Sequence, residues 1–257
     1  MNTITAGMLY DWIDAFAPFQ SAMDFDNPGL LVGDREDPVE RVLFALDITP
    51  EVVREAAEFG AQLIISHHPV IFNPLKHLSR ETAPYLLAQF GIDALCAHTN
   101  LDMAPGGVNT ALAGRLQLQN VRTLSSYSPG FAEALLGELP APLSPKAFAQ
   151  HVKTQLGCSG VRFTDGGRPV RTVGLCSGGG EELVYAAAKA GCEGFVTGES
   201  KHHLLLFAKS ASITFVDAGH FSTEDVVLHP LMERLQAAFP ALLCKKSTAM
   251  QDPSVSL

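Results

Sequence analysis

No stretch of this chain is apolar for long enough to cross a membrane, since its longest apolar runs fall well short of the ~20 residues a spanning helix needs. The opening residues, MNTITAGMLYDWIDAF, lack the basic segment and following apolar segment of a signal peptide, and read as an amphipathic first helix. Cysteine is sparse: five residues, scattered, odd in number and without a CxxC pair. That excludes a disulfide framework and a zinc ribbon, and points to a reducing, cytoplasmic compartment. None of the five sits in an obvious activating context. Basic runs are absent and the formal net charge is −9, which argues against broad binding to nucleic acid, because counterion release needs clustered Lys and Arg. A phosphate-bearing substrate stays compatible with that charge, because divalent cations in a cleft would reverse the local field. The chain also lacks the GxSxG elbow of serine hydrolases and the GxGxxG and GxxxxGKS/T loops of nucleotide-binding folds.

What is present is a regular alternation. The 257 residues, 47% hydrophobic and 18% charged, suffice for one large domain or two modest ones with an ample core. RVLFALDI (41–48) reads as a strand; TPEVVREAAEFG then supplies a Thr N-cap, a first-turn Pro, early acidic residues and a closing Gly60, which is a helix. QLIISHH and IDALCAHT follow as strands, with ETAPYLLAQFG between them and GGVNTALAGRLQL after them as helices. The second half repeats the scheme with strands in RTVGLCS, CEGFVTG and SITFVDAG, and helices in GGGEELVYAAAKAG, SKHHLLLFAKS and STEDVVLHPLMERLQAAF. Such alternation predicts an α/β fold on a mostly parallel sheet built of right-handed βαβ units. Residues 121–170, with SSYSPGF, ELPAPLSP, a short helix around Ser144–Leu156 and TDGGRP, are expected to form a smaller inserted α+β segment. Residues 1–120 and 171–257 would then build the α/β core from both halves.

Five side chains able to bind metal stand just past apolar strand-like runs: His67, His68, Asp102, His220 and Glu224. The carboxyl ends of strands in open α/β sheets are where ligands bind, and gathered imidazole and carboxylate donors are what a two-metal hydrolytic centre needs. Each has a blander reading. His67 and His68 alone would be incidental loop histidines, ahead of Pro69, which ends the strand. Asp102 alone would cap the helix starting near Gly107. Glu224 could serve an approximate capping box with Ser222 and Asp225, but Gly219 and His220 have no capping purpose, and the i, i+4 spacing of His220 and Glu224 aims both to one place. His98, four residues before Asp102, is either a further ligand or a group orienting water or substrate. Glu199 in VTGES is another polar group at a strand end, followed by Lys201, His202 and His203, whose default is a surface role. Gly178, Gly179 and Gly180 form a turn that is at least as well explained without an anion. His77, His151 and His229 lie in no ligand-like context.

Taken together, DNPGLLVGD (26–34), SHHPVIF (66–72), AHTNLD with GGVN (97–109), the SGGG turn, VTGES (196–200) and GHFSTE (219–224) resemble the Nif-three-like family, whose members are often called GTP cyclohydrolase 1 type 2 homologues. The signatures span nearly the whole chain in the family's order, and the length resembles the short bacterial form. Phe221 and Ser222 depart from the family's usual second aromatic or His followed by Ala, and neither is a donor that the site depends on.

The resemblance implies two α/β lobes, a metal centre at strand carboxyl ends and a toroidal homohexamer. It also implies a dinuclear centre with His67, His68, Asp102, His220 and Glu224 as ligands, Glu224 bridging, and His98 beside them. On this reading His67, Asp102 and Glu224 hold one divalent ion and His68, His220 and Glu224 the other. Mixed nitrogen and oxygen donors suit Zn, Mn or Fe. The expected function is metal-dependent hydrolysis of a small molecule, nucleotide or nucleotide-like, with His98 and Glu199 as candidate proton handlers. The alternative from another class is a metal storage, delivery or sensing protein, or a ring scaffold, without turnover. A DNA-handling ring is disfavoured by the charge, and no membrane partner is expected.

Overall fold

The computed structural model describes residues 3–255. Its strands are β1 (Gly29–Val32), β2 (Arg41–Ala45), β3 (Leu63–Ser66), β4 (Asp93–Cys96), β5 (Gln119–Ser128), β6 (Phe131–Leu143), β7 (Arg162–Phe163), β8 (Val170–Leu175), β9 (Gly194–Thr197), β10 (Thr214–Asp217) and β11 (Leu243–Lys246). The chain divides into two compact units. Of the described residues, the first comprises 3–101 with Leu228–Gln251; the second comprises Asp102–Val227 and 252–255.

The first unit is built on a five-stranded sheet in the order β1-β4-β3-β2-β11. All pairings are parallel except β1 with β4. β3 and β4 are buried along their whole length, as expected of central strands covered on both faces. One face packs Leu43, Ala45, Ile64 and Ala94 against Val52, Val53 and Ala56 of the helix Pro50–Phe59 and Leu86 and Leu87 of the helix Ala83–Phe90. The first of these helices is bounded as its sequence dictates. Thr49 Oγ1 accepts from Val52 N at 3.3 Å, and Gly60 closes the helix in the left-handed region at φ 72°.

The second unit carries a six-stranded sheet in the order β5-β6-β8-β9-β10-β7. Its neighbouring residues divide between two cores. Leu135, Val173, Val196 and Val216 meet Phe148 and Val152 on one face, while Leu136, Phe195 and Phe215 meet Val184, Leu204 and Ala208 on the other. Both faces are therefore dry, and strands with no polar side read as the continuous apolar runs seen in CEGFVTG and SITFVDAG.

Residues 121–170 supply most of β5, all of β6, the helix Pro145–Leu156 and β7, and these pack in the same sheet and cores as β8–β10. The second sheet is mixed: β5–β6, β6–β8 and β10–β7 are antiparallel, and β8–β9 and β9–β10 are parallel. SSYSPGF holds the end of β5 and the Pro129–Gly130 turn of the β5–β6 hairpin, with Gly130 at φ 87°.

Closing strand β11 returns to the first unit, and one carboxylate pins the chain beyond it. Glu55, on the helix Pro50–Phe59, accepts from Lys245 Nζ at 2.8 Å, Thr248 N at 3.0 Å and Ala249 N at 3.0 Å, and from the Ser247 and Thr248 hydroxyls. Burial raises its pKa, but these hydrogen bonds outweigh that and hold it at about 2. A depressed carboxylate stabilises the fold above its ordinary value and loses that contribution as pH falls towards about 2. Glu55→Ala should therefore cost about 2 kcal/mol in urea unfolding at neutral pH, with the difference from the parent shrinking as the pH approaches 2. A gap that is constant across that pH range would show that Glu55 acts by packing alone.

Candidate metal centre

In the first unit, β3 and β4 run out side by side and deliver three histidines. His67 and His68 directly follow β3, with His67 N donating to Ala45 O at 3.3 Å and His68 N to Leu46 O at 2.9 Å. The turn after Ser66 lets both rings face the same side: their centroids lie 5.0 Å apart, and that of His98 is 5.2 Å and 5.3 Å from them. One ligand nitrogen from each of the three lies within 4.8 Å of the others, an arrangement that could hold a metal ion.

Each of these rings is held at Nδ1. His67, only 1% exposed, faces Ala97 O at 2.9 Å. A carbonyl can only accept, so Nδ1 carries the proton and the lone pair of the neutral ring sits on Nε2. His68 Nδ1 lies 2.8 Å from Asp47 Oδ1, and His98 Nδ1 lies 2.7 Å from Asp26 Oδ1. A carboxylate or carbonyl behind Nδ1 is the usual means of fixing the tautomer and orientation of a metal-binding imidazole. Asp26 is firmly ionised for this task. Burial pushes its pKa up, but hydrogen bonds from His98 and from Thr99 (N at 3.0 Å, Oγ1 at 2.6 Å) bring it down to about 2. The structure thus places His98 alongside His67 and His68 as a third converging imidazole of this unit.

The second unit holds the other sequence-predicted residues. Asp102 lies in the short helix Thr99–Met103, and its Oδ1 is 3.2 Å from Ser177 Oγ. Ser177 is itself fixed by Asn109, whose Oδ1 accepts from Ser177 N at 3.0 Å. His220 opens the one-turn helix His220–Glu224 after β10. Its Nε2 is 3.0 Å from Glu224 Oε2, and its Nδ1 is 2.8 Å from Glu199 Oε1. Glu224 is 3% exposed. The i, i+4 pairing is as the spacing predicts, and Glu199 stands behind His220 as Asp47 stands behind His68.

Glycines allow this close assembly. A Cβ on Gly178, which has φ 54°, would run into Glu224 Oε1, and one on Gly198 would come within 2.8 Å of His220 Cα. Gly178 N donates to Thr223 Oγ1 at 3.1 Å, and Gly178 O accepts from Gly198 N at 3.0 Å. The Gly-rich turn therefore serves packing around the helix His220–Glu224, in line with its ligand-free reading.

Sequence reasoning passed over the supporting groups. Asp26 stood in a quoted motif without a role, Asp47 was the one acidic residue inside the RVLFALDI run, and Ser177 and Asn109 gave no spacing signal of their own. Of the unassigned histidines, His151 Nε2 donates to Leu116 O at 3.0 Å and His229 pairs with Glu233 at 3.3 Å.

Comparison with known proteins agrees with the motifs. The family model described as Duf34/NIF3 (NGG1p interacting factor 3) matches residues 4–253. A Clostridium perfringens protein named GTP cyclohydrolase 1 type 2 homolog is 32% identical over 232 residues, covering 87% of this chain and 88% of its own. A Streptomyces coelicolor protein of the same name is 33% identical over 225 residues, covering 82% and 79%. Among solved structures, Staphylococcus aureus protein SA1388 is similar over 100% of both chains with a TM-score of 0.92 at 28% identity. TTHA1606 from Thermus thermophilus matches with a TM-score of 0.80 at 28% identity, covering 95% of this chain and 97% of its own.

The electrostatics of His220 give a direct check. Its hydrogen bond to Glu224 raises its pKa; burial opposes this, and the charges of Glu224 and Glu199 add to the rise, bringing it to about 9. In metal-stripped protein the imidazolium stabilises the fold fully below the ordinary histidine pKa, and this contribution is lost as pH rises through about 9. A metal must displace that proton, so affinity should climb with pH up to the same value and uptake at neutral pH should release protons. NMR titration of metal-stripped protein should find one histidine titrating near 9, and Glu224→Gln should bring it back towards the ordinary value. A His220 that titrates normally in the parent would show that the His220–Glu224 pair is not formed in solution.

Proposed function

This chain belongs to the DUF34/NIF3 family, and we propose on that footing that it is a dinuclear metal-dependent hydrolase acting on a small nucleotide-like substrate. The observation that carries the reading is the trio His67, His68 and His98, each given a hydrogen-bond acceptor at Nδ1 and converging on one another. Histidines that served only packing would have no need of three separate acceptors at the same ring position. The nucleotide-like substrate is suggested by the relatives' name, GTP cyclohydrolase 1 type 2 homolog.

In this proposal His67, His68, Asp102, His220 and Glu224 are the ligands of two divalent transition-metal ions, Zn, Mn or Fe. His67, Asp102 and Glu224 serve one ion, His68, His220 and Glu224 the other, and Glu224 bridges. Such ions supply Lewis acidity and make water a competent nucleophile near neutral pH. The chain's own residues orient the donors: Asp47 fixes His68, the Ala97 carbonyl fixes His67, Ser177 steadies Asp102, and Glu199 fixes His220 through Nδ1. Glu199 is accordingly a positioning residue more than a proton handler. His98, backed by the ionised Asp26, is the group suited to hold or pass a proton beside the ligands.

The location proposed is the cytoplasm. All five cysteines are free thiols, and among the described residues no helix is long and apolar enough to cross a membrane. The assembly proposed is a toroidal homohexamer, resting on family resemblance; no nucleic-acid partner is invoked.

Elemental analysis of protein saturated with Zn or Mn should approach two ions per chain, and a plateau at one would leave a mononuclear site. Glu224→Ala should empty both positions, because it removes a donor from each ion. Asp102→Ala and His220→Ala should each keep part of one equivalent, and His98→Ala should keep both ions while losing turnover in a screen of nucleotides, phosphoesters and amides. Metal retained in every preparation without any turnover would favour a carrier or scaffold over an enzyme. Light scattering should give six times the chain mass of 27.5 kDa, and a clean monomer would remove the ring.

A further inference from the structure

The strands that bring His67 and His98 to one end of the first sheet have a cavity at their other end. It measures about 540 Å³ and is lined by Gly33, Asp37, Gln62, Leu87, Ile92 and Asp93 among others. Asp93 is the first residue of β4, whereas His98 follows that strand's last residue, so the length of β4 separates the cavity from the histidines.

Asp93 is the unusual feature. It is 6% exposed, and its Oδ2 has no hydrogen-bond partner. A buried carboxylate oxygen without a donor costs free energy that a fold ordinarily avoids. The surroundings deepen the deficit. Asp37 lies within hydrogen-bonding reach of it, and Asp34 adds a second negative charge nearby. Among the described residues no Lys, Arg or His lines the cavity. Gln62 has its amide engaged elsewhere: Oε1 accepts from Glu40 N and Arg41 N, and Nε2 donates to Gly60 O. Gly33 makes room for the carboxylate, since a Cβ there would collide with Asp93 Oδ1. Burial, and then the charges of Asp37 and Asp34, push the Asp93 carboxyl up to about 7. A proton shared with Asp37 would ease the repulsion yet leave the pair, with Asp34 nearby, negatively charged and without a cation beside it.

We propose that this cavity binds a small organic cation, an alkylammonium whose N–H groups meet Asp93 and Asp37 and whose apolar part lies against Leu87 and Ile92. The volume is that of a small-molecule site. Its aliphatic walls suit an alkyl chain better than the water shell and six or more oxygens of a hard metal ion.

The test uses full-length, zinc-loaded protein, with n-butylammonium chloride as probe and saturation-transfer NMR on the probe's methylene signals. 1-Butanol serves as the uncharged control, and Mg and Ca chlorides as competitors. Butylammonium should bind saturably, butanol should not, and Asp93→Asn should weaken binding by about tenfold or more. Ala88→Phe, which narrows the cavity wall while leaving both carboxylates in place, should abolish binding with the zinc content unchanged, so a failure of Asp93→Asn to fold does not decide the matter. The proposal is overturned if butylammonium gives no saturable signal, if Asp93→Asn or Ala88→Phe binds as well as the parent, if butanol binds equally, or if Mg or Ca displaces the probe at stoichiometric amounts.

Discussion

An imidazole can offer a metal one nitrogen only after the other has been given its proton and a place to put it, and the candidate centre is organised around that constraint. His67, His68, His98 and His220 each meet an acceptor at Nδ1: a backbone carbonyl, Asp47, Asp26 and Glu199. These acceptors do for ring orientation what a packed core does for rotamers, because an imidazole with one nitrogen fixed has little freedom left about its ring bond. Removing such a carboxylate would leave the ligand in place chemically but free it to choose the wrong tautomer.

The sheets supply the acceptors as well as the ligands. Ala97 stands one residue past β4, Asp47 two past β2, and both face side chains leaving β3. Parallel strands in register bring equivalent positions to one edge: Ala45 lies opposite Ser66, and Ser66 opposite Cys96. A ligand after one strand and its acceptor after the next are thus neighbours without any specialised loop. In the second unit β9 and β10 perform the same service, pairing Thr197 with Asp217 and so bringing Glu199 and His220 off adjacent strand ends.

This geometry explains what could be read from the chain and what could not. Fully buried parallel strands are short apolar runs, and LIIS, DALC, GFVT and TFVD stood out for that reason. Donor residues just past those runs were legible too, since a His or Asp at the end of a dry strand has few structural motives. The hairpin β5–β6 was not: β5 is an edge strand, mostly exposed, whose Asn, Arg, Thr and Ser residues carry no apolar alternation. Residues 121–170 are apolar at only a few positions, such as Leu135 and Phe148, that enter the core shared with β8–β10, so their composition says little about which sheet they join. The supporting acceptors were missed for a different reason. Their partners lie far off in sequence, 72 residues in the case of Asp26 and His98, and no local pattern encodes such a pairing.

In the second unit the local charge disfavours sulfur as a donor. Cys176 lies buried near Asp102 and Glu224, yet burial and then the charges of Asp102, Glu133, Glu224 and Glu181 push its thiol well above the ordinary range. Glu224 acts on both groups: its hydrogen bond, then its charge and the contribution of Glu199, hold the His220 proton to about 9. A thiolate could form there only against that field, whereas a divalent cation replacing the His220 proton brings two charges where one stood. The carboxylate charge that keeps the cysteine inert would equally favour a cation, and carboxylate and imidazole donors are of the kind that borderline ions such as Zn, Mn and Fe accept.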